Sequence, residues 1–213
     1  FAYSSNRIPE ITEQLYSIDD AMKAGYGWEY GPFEYWDLIG LEKGIQSAEA
    51  QGEKIADWVK EMLAAGHTRF YKREGGQRLC YDPAKKAYAS IPGRESLIVL
   101  DNYRDQSPVF KNNEVILHDI GDGVLCLEFT SPHNSIGEGV LRGINEAIQI
   151  AEDGDWNGLV IGNNGTNFSV GANIFMIAQL AYQGEFEELN MAVNIFQQTT
   201  LRARYSSIPV VVA

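Results

Sequence analysis

The sequence predicts an all-α segment followed by an α/β segment within one chain of 213 residues. Three observations carry that prediction. Apolar and aromatic residues recur at helical spacing through residues 1–65, punctuated by glycine stops. From residue 114 onward, β-branched and aliphatic runs alternate with helical patterns. Between the two, residues 66–112 are polar, with scattered Gly, Pro and charge. The expected organisation is a helical domain over 1–65, a connector with a small strand pair over 66–112, and an α/β domain over 113–213. With 45% hydrophobic residues the chain can bury a core.

In the first segment, Ser17-Ile18-Asp19-Asp20 has the form of a capping box, and the helix it would open stops near Gly25. Pro32 suits the first turn of a second helix carrying Phe33, Trp36, Leu38 and Ile39, with Gly40 as its stop. A third helix over 44–65 would align Ile55, Trp58, Val59, Met62 and Leu63. The strand pair of the connector is expected at 78–81 and 87–91. In the α/β segment, Gly121-Asp122-Gly123 joins two apolar runs, 115–120 and 124–129, as a hairpin. Residues 137–153 follow with helical period, then Leu159-Val160-Ile161 as a strand covered on both faces. One helix is expected from about Ile174 and a longer one over 185–204, with Phe186, Leu189, Val193, Phe196 and Leu201 on one side. The chain opens on Phe1 rather than Met and closes on the apolar run 208–213, so the expectation is a piece of a longer protein.

Composition excludes several functions. A net charge of −12 with no basic stripe argues against nucleic acid as a partner. Two cysteines, Cys80 and Cys126, are too few for a disulfide framework or a structural zinc site, and they fit a reducing, cytoplasmic setting. His67, His118 and His133 share no ligand spacing, so no metal is expected. No apolar run approaches the roughly 20 residues of a membrane span, and no signal pattern opens the chain. The aromatic cluster of Tyr26, Trp28, Tyr30, Phe33, Tyr35 and Trp36 reads as core and interdomain packing before it reads as a stacking platform.

The stretch from Leu159 to Ile174 is where chemistry would sit. A buried strand ends, a glycine-containing loop follows, and a helix starts near Asn173. Such a loop presents unpaired N–H groups that can hold a phosphate or the oxyanion developing on a thioester carbonyl, although ordinary strand–loop–helix connections look the same. Phe168-Ser169-Val170-Gly171-Ala172-Asn173-Ile174 resembles the Phe-(Ser/Ala)-x-Gly-Ala-Asp-(Ile/Leu) signature of the crotonase family of enoyl-CoA hydratases and isomerases. Ser131-Pro132-His133-Asn134-Ser135-Ile136 is similar to that family's Asn-Ala-Leu turn, and 205–213 to its Pro-Val-(Val/Ile)-Ala strand. The resemblance covers 113–213 and implies a partial crotonase domain, a ββα-repeat spiral. It implies that the backbone N–H of Ala172 is one of two oxyanion donors, that Val170, Gly171 and Asn173 line an acyl-CoA groove, and that Ser131 and Pro132 lie near the CoA moiety. Asn173 departs from the family's Asp, which removes a charge and leaves its role open.

Ile18 to Gly40 resembles a stretch of the C-terminal helical domain of 3-hydroxyacyl-CoA dehydrogenases, (Asp/Glu)-x-Ala-Met-x-x-Gly-x-Gly-x-x-x-Gly-Pro-Phe-x-x-x-Asp-x-x-Gly. The order of the two resemblances is that of a bacterial fused dehydrogenase/hydratase. It implies a parent that hydrates trans-2-enoyl-CoA and oxidises 3-hydroxyacyl-CoA with NAD, as a cytoplasmic homo-oligomer. The cofactor, the second oxyanion glycine and the catalytic carboxylates would all lie outside this chain. Losing one such donor costs about 10²–10³ in rate, so the piece is expected to be inactive alone. Two alternatives stand: a non-catalytic assembly or acyl-CoA-binding module, and an isomerase activity in the parent.

Overall fold

A computed structural model of the chain describes residues 1–95 and 97–213. It separates into two compact units, Phe1–Leu97 and Ile98–Ala213.

The first unit runs α1 (Ala2–Asn6), α2 (Leu15–Tyr26), α3 (Pro32–Ile39), α4 (Leu41–Ala50) and α5 (Asp57–Ala64). Then comes an antiparallel sheet of β1 (Tyr71–Glu74), β2 (Gln77–Asp82) and β3 (Ala87–Ser90), in that order. The 44–65 helix is two helices. The left-handed Gly52 (φ 78°) interrupts the run just after Gln51, and Ile55 is buried in the link that follows. The expected strand pair is a three-stranded sheet, and it is no connector. Tyr71, Cys80, Tyr81 and Ile91 enter the same core as Leu15, Phe33, Trp36, Val59, Met62 and Phe70. Within 66–112, read as polar, the strands show exposed polar halves while their buried halves complete the helical core. Phe70 is its centre, with ring centroids 5.0 Å from Phe33, 5.1 Å from Trp36 and 5.9 Å from Trp58.

The expected capping box at Ser17–Asp20 is not used as one. Helix α2 begins earlier, at Leu15, and Asp19 faces the next helix instead. Its carboxylate oxygens accept the N–H groups of Phe33 (2.9 Å) and Glu34 (3.2 Å), which a helix start leaves unpaired. The Glu34 carboxylate in turn accepts the Gly31 N–H at 2.7 Å. A Cβ at Gly31 would lie 2.3 Å from the Asp19 Cα, so only glycine permits the approach. The spacing of Asp19 and Gly31-Pro32-Phe33 thus has a mechanical reason. Asp37 repeats the device further along, accepting from Phe70 N–H at 2.7 Å and Tyr71 N–H at 2.9 Å, which ties α3 to β1.

The second unit has one five-stranded sheet, ordered β4 (Phe110–Lys111), β5 (Val115–Asp119), β6 (Val124–Phe129), β7 (Gly158–Gly162) and β8 (Val210–Val212). The first three are antiparallel, and β6, β7 and β8 run parallel. The hairpin expected at Gly121-Asp122-Gly123 forms, all three residues having positive φ. Helix α6 (Glu138–Asp153) crosses from β6 to β7 and buries Val140, Ile144, Ala147, Ile148 and Ala151 against Val115, Leu117, Leu125, Leu127, Leu159 and Ile161. On the other face of the sheet, His118 and Glu128 are buried, with His118 Nε2 3.0 Å from Glu128 Oε2 and Arg104 donating to Glu128 Oε1 at 2.6 Å. Pairing is what makes a buried carboxylate tolerable.

Helices α7 (Ile174–Gln183) and α8 (Phe186–Arg204) connect β7 to β8. Their apolar residues are not covered. None of the described residues of α7 is buried, and Phe186, Val193 and Leu201 on α8 are exposed although their spacing predicted a packed side. The strand β8 is likewise open, with Val211 and Val212 exposed although the run 208–213 is apolar.

Candidate functional site

The strands β6 and β7 are parallel, and the loops leaving their C-terminal ends meet. After β6 the chain turns through Pro132–Asn134, with His133 and Asn134 in left-handed backbone (φ 54° and 55°). Ser131 is buried and its hydroxyl donates to the Ser135 carbonyl at 2.7 Å, whereas Pro132 is exposed. After β7 the loop 163–173 folds on its own side chains. Asn163 Oδ1 accepts from Gly165 N–H at 2.8 Å, and its Nδ2 donates to the Phe168 carbonyl at 2.7 Å. The two loops are then stitched together. Asn134 Nδ2 donates to Asn163 Oδ1 (2.9 Å) and to the Asn167 carbonyl (3.0 Å). The Ser169 hydroxyl donates to the Asn134 carbonyl at 2.6 Å and accepts the Gly171 N–H at 2.9 Å. The Phe168 ring sits 5.6 Å from Phe129.

Gly171 has φ 87°, a conformation closed to most side chains. Its carbonyl accepts the Ile136 N–H at 2.8 Å, within a one-residue parallel bridge between Ile136 and Ala172. A trans peptide holds its N–H opposite its C=O. Anchoring the Gly171 carbonyl on Ile136 therefore turns the Ala172 N–H the other way, and among the described residues nothing accepts from it. Asn173 caps α7, its Oδ1 accepting from Phe175 N–H (3.2 Å) and Met176 N–H (3.3 Å). An amide oxygen performs that capping as a carboxylate would, without the charge.

Of the residues singled out in the sequence, Ser131, Pro132, Val170, Gly171, Ala172 and Asn173 all belong to this pair of loops. Val170 is exposed, while the Asn173 acceptor and the Ser131 hydroxyl are committed to internal bonds. Sequence reading passed over Asn134, Asn163 and Ser169, which hold the loops together. The one hint was an unusual density of Asn on either side of β7.

The first unit holds a separate concavity of about 700 Å³, lined chiefly by apolar groups including Ile11, Ile18, Met22, Trp28, Tyr35 and Ile39. Tyr26, Trp28, Tyr30 and Tyr35 are exposed, so the aromatic cluster divides: only Phe33 and Trp36 of it are core. Nearby charges are structural. Burial pushes the Asp19 carboxyl up to about 6 and the Asp37 carboxyl to about 6, against the hydrogen bonds they accept. Burial also raises the Cys80 thiol to about 12 and the Cys126 thiol to about 11, which keeps both unreactive. No group of three or more His, Cys, Asp or Glu able to hold a metal occurs among the described residues.

Nor do the described residues fit a dinucleotide. Gly25 lies inside α2 and Gly27 is its left-handed C-cap, whereas a phosphate-binding glycine turn joins a strand to a helix. The loop after β7 does join a strand to a helix, but its helix N-terminus is occupied by the Asn173 side chain.

Residues 8–78 match the sequence model of the 3-hydroxyacyl-CoA dehydrogenase C-terminal domain. The match takes in α2 to α5, β1 and the start of β2, including the Asp19 cap on α3 and the Asp37 tie to β1. The whole chain is 39% identical over 212 residues to a Bacillus subtilis (strain 168) protein named "Probable 3-hydroxyacyl-CoA dehydrogenase", covering 99% of this chain and 26% of that protein. It is 28% identical over 216 residues to a Rickettsia felis (strain ATCC VR-1525 / URRWXCal2) protein named for a fatty acid oxidation complex trifunctional enzyme, again covering 99% of this chain and 26% of the relative. The chain thus spans about a quarter of the length of these relatives. Among solved structures it is similar to an enoyl-CoA hydratase from Polaromonas sp. JS666, at 20% identity and a TM-score of 0.43, over 46% of this chain and 39% of that one.

Proposed function

We propose that this chain is part of a multifunctional fatty-acid β-oxidation protein acting on acyl-CoA thioesters. The first unit is the helical dehydrogenase segment, and the second is the opening half of a crotonase-type domain. In this reading the parent hydrates trans-2-enoyl-CoA and oxidises the 3-hydroxyacyl-CoA with NAD bound in another part of it. It works in the cytoplasm as a homo-oligomer. The observation that carries the thioester reading is the anchored Gly171 carbonyl, which leaves the Ala172 N–H outward and unpaired. Val170, Gly171 and Asn173 flank that donor, and Ser131 and Pro132 lie on the adjoining loop, where the CoA moiety would pass. The lone donor supports binding and polarisation of a thioester carbonyl. General acid–base groups for hydration would come from elsewhere in the parent.

The test is calorimetric titration of the chain with palmitoyl-CoA and with free CoA. Palmitoyl-CoA is expected to bind at about micromolar Kd, and Ala172→Pro, which deletes the N–H, to weaken it about fivefold, the worth of one hydrogen bond. A folded chain that binds neither ligand, or binds both alike, would overturn the reading.

A second reading, an assembly module, is favoured by one observation: the uncovered apolar residues of α7 and α8.

A further inference from the structure

The geometry points to Asn134 as the positioning residue for the Ala172 donor, an inference that rests on the thioester reading above. Asn134 reaches the donor loop by both backbone and side chain. Its amide donates to Asn163 Oδ1 and to the Asn167 carbonyl, partners 29 and 33 residues away. Its carbonyl holds the Ser169 hydroxyl, and that hydroxyl holds the Gly171 N–H. Gly171 is therefore gripped on both sides, its N–H by the Ser169 hydroxyl and its carbonyl, which shares a peptide plane with the Ala172 N–H, by Ile136. Both grips start from the turn after β6.

Turn formation alone does not account for Asn at 134. Its φ of 55° suits Asn or Asp about equally. A carboxylate, however, has no N–H to donate, and both partners of the side chain are acceptors. The network thus demands an amide where the turn does not. Apart from the Asn163 bonds to Gly165 and Phe168, which tie the loop only to its own start, residues 164–168 are exposed and touch the sheet through the Phe168 ring on Phe129. Without the Asn134 amide the loop loses its side-chain tie to the turn after β6, Ser169 loses its fixed geometry, and Gly171, which sets the direction of the Ala172 N–H, keeps one anchor of two. A hydrogen-bond donor that is not held in place before the carbonyl arrives loses most of its worth.

Two ligands separate donor alignment from loop integrity: palmitoyl-CoA and S-hexadecyl-CoA, a thioether of the same chain length without the carbonyl. The wild-type chain is expected to prefer the thioester about fivefold. Asn134→Asp, and Asn134→Gly as a variant with no backbone strain, are expected to bring that ratio to about one while thioether affinity stays within about twofold. Ser169→Thr, which keeps the hydroxyl, is expected to keep the ratio. A wild-type ratio in the Asn134 variants overturns the proposal. So does an equal loss of both ligands at unchanged melting temperature, which would mean that Asn134 shapes the groove and not the donor. A wild-type chain without thioester preference overturns the thioester reading itself. Amide exchange then judges Asn134 without any ligand: in Asn134→Asp the Gly171 N–H is expected to exchange about tenfold faster with α6 unchanged. Unchanged exchange at Gly171 would remove Asn134 from the network's control.

Discussion

At the scale of single residues, the first unit contains a glycine for which two rules conflict. Gly44 lies inside α4, where replacing glycine by alanine ordinarily stabilises by about 0.5–1 kcal/mol. A Cβ there would stand 2.0 Å from Trp36 Nε1. That indole cannot retreat. It is fully buried, its N–H donates to the Leu41 carbonyl at 3.1 Å, and its ring is stacked on Phe1 at 5.0 Å and tilted against Phe70 at 5.1 Å. Overpacking of this kind costs about 1–3 kcal/mol and outweighs the propensity gain. Gly44→Ala is therefore expected to lower the melting temperature of the first unit, followed by near-UV circular dichroism; a rise would show that α4 can slide away from Trp36. The conflict could not be seen in the sequence, because Gly44 and Trp36 meet only once α3 and α4 have folded back at Gly40.

Among elements, α8 is held to α6 mainly by polar groups. Asn145 Nδ2 donates to the buried Thr199 hydroxyl at 2.8 Å, and the Arg202 guanidinium grips both oxygens of Glu152, one of which also accepts the Ser207 N–H at 2.8 Å. The Arg202 hydrogen bond, then that of Ser207, holds the Glu152 carboxyl down to about 2 from its usual 4.5. A carboxyl lowered on folding contributes stability above pH 4.5 and loses it as pH falls through about 2. Arg202→Met is expected to return Glu152 toward 4.5 in an NMR carboxyl titration and to speed amide exchange over the last turn of α8. An unshifted Glu152 would assign the low value to Ser207. What was legible at this scale follows the physics of local pattern. Helix α6, the 121–123 hairpin and β7 could be read because their apolar period is complete within the element. The sheet of the first unit was half missed because its strands show the core so few side chains, Tyr71 from β1, Cys80 and Tyr81 from β2, and the partly buried Tyr88 from β3. The Asp19 cap was misassigned because its partners are N–H groups fourteen and more residues away, invisible to a four-residue motif. The donor loop announced itself by its glycines, while Asn134, which fastens it, lies about thirty residues upstream.

For the whole molecule, the two units differ in how much of their apolar surface they hide. The first closes a core of helices and sheet around Phe70. The second buries one face of α6 on its sheet but leaves Phe175, Tyr182, Phe186 and Met191 at 86%, 93%, 66% and 63% exposure, and the strand β8 is open as well. Exposed apolar side chains and an unpaired strand edge on this scale promote association, since each 100 Å² removed from water is worth about 2.5 kcal/mol. A net charge of −12 opposes it but is screened beyond about 8 Å at physiological salt. The apolar term should win at short range, so the isolated chain is expected to self-associate between about 1 and 100 μM in sedimentation velocity, more strongly as salt rises. Phe175→Glu with Phe186→Lys should shift it toward monomer without lowering its melting temperature, because neither side chain contributes to a core. A chain that stays monomeric at all concentrations would leave the assembly reading without its one supporting observation. Association that survives both substitutions would move the adhesive surface to the exposed aromatics of α2 and α3.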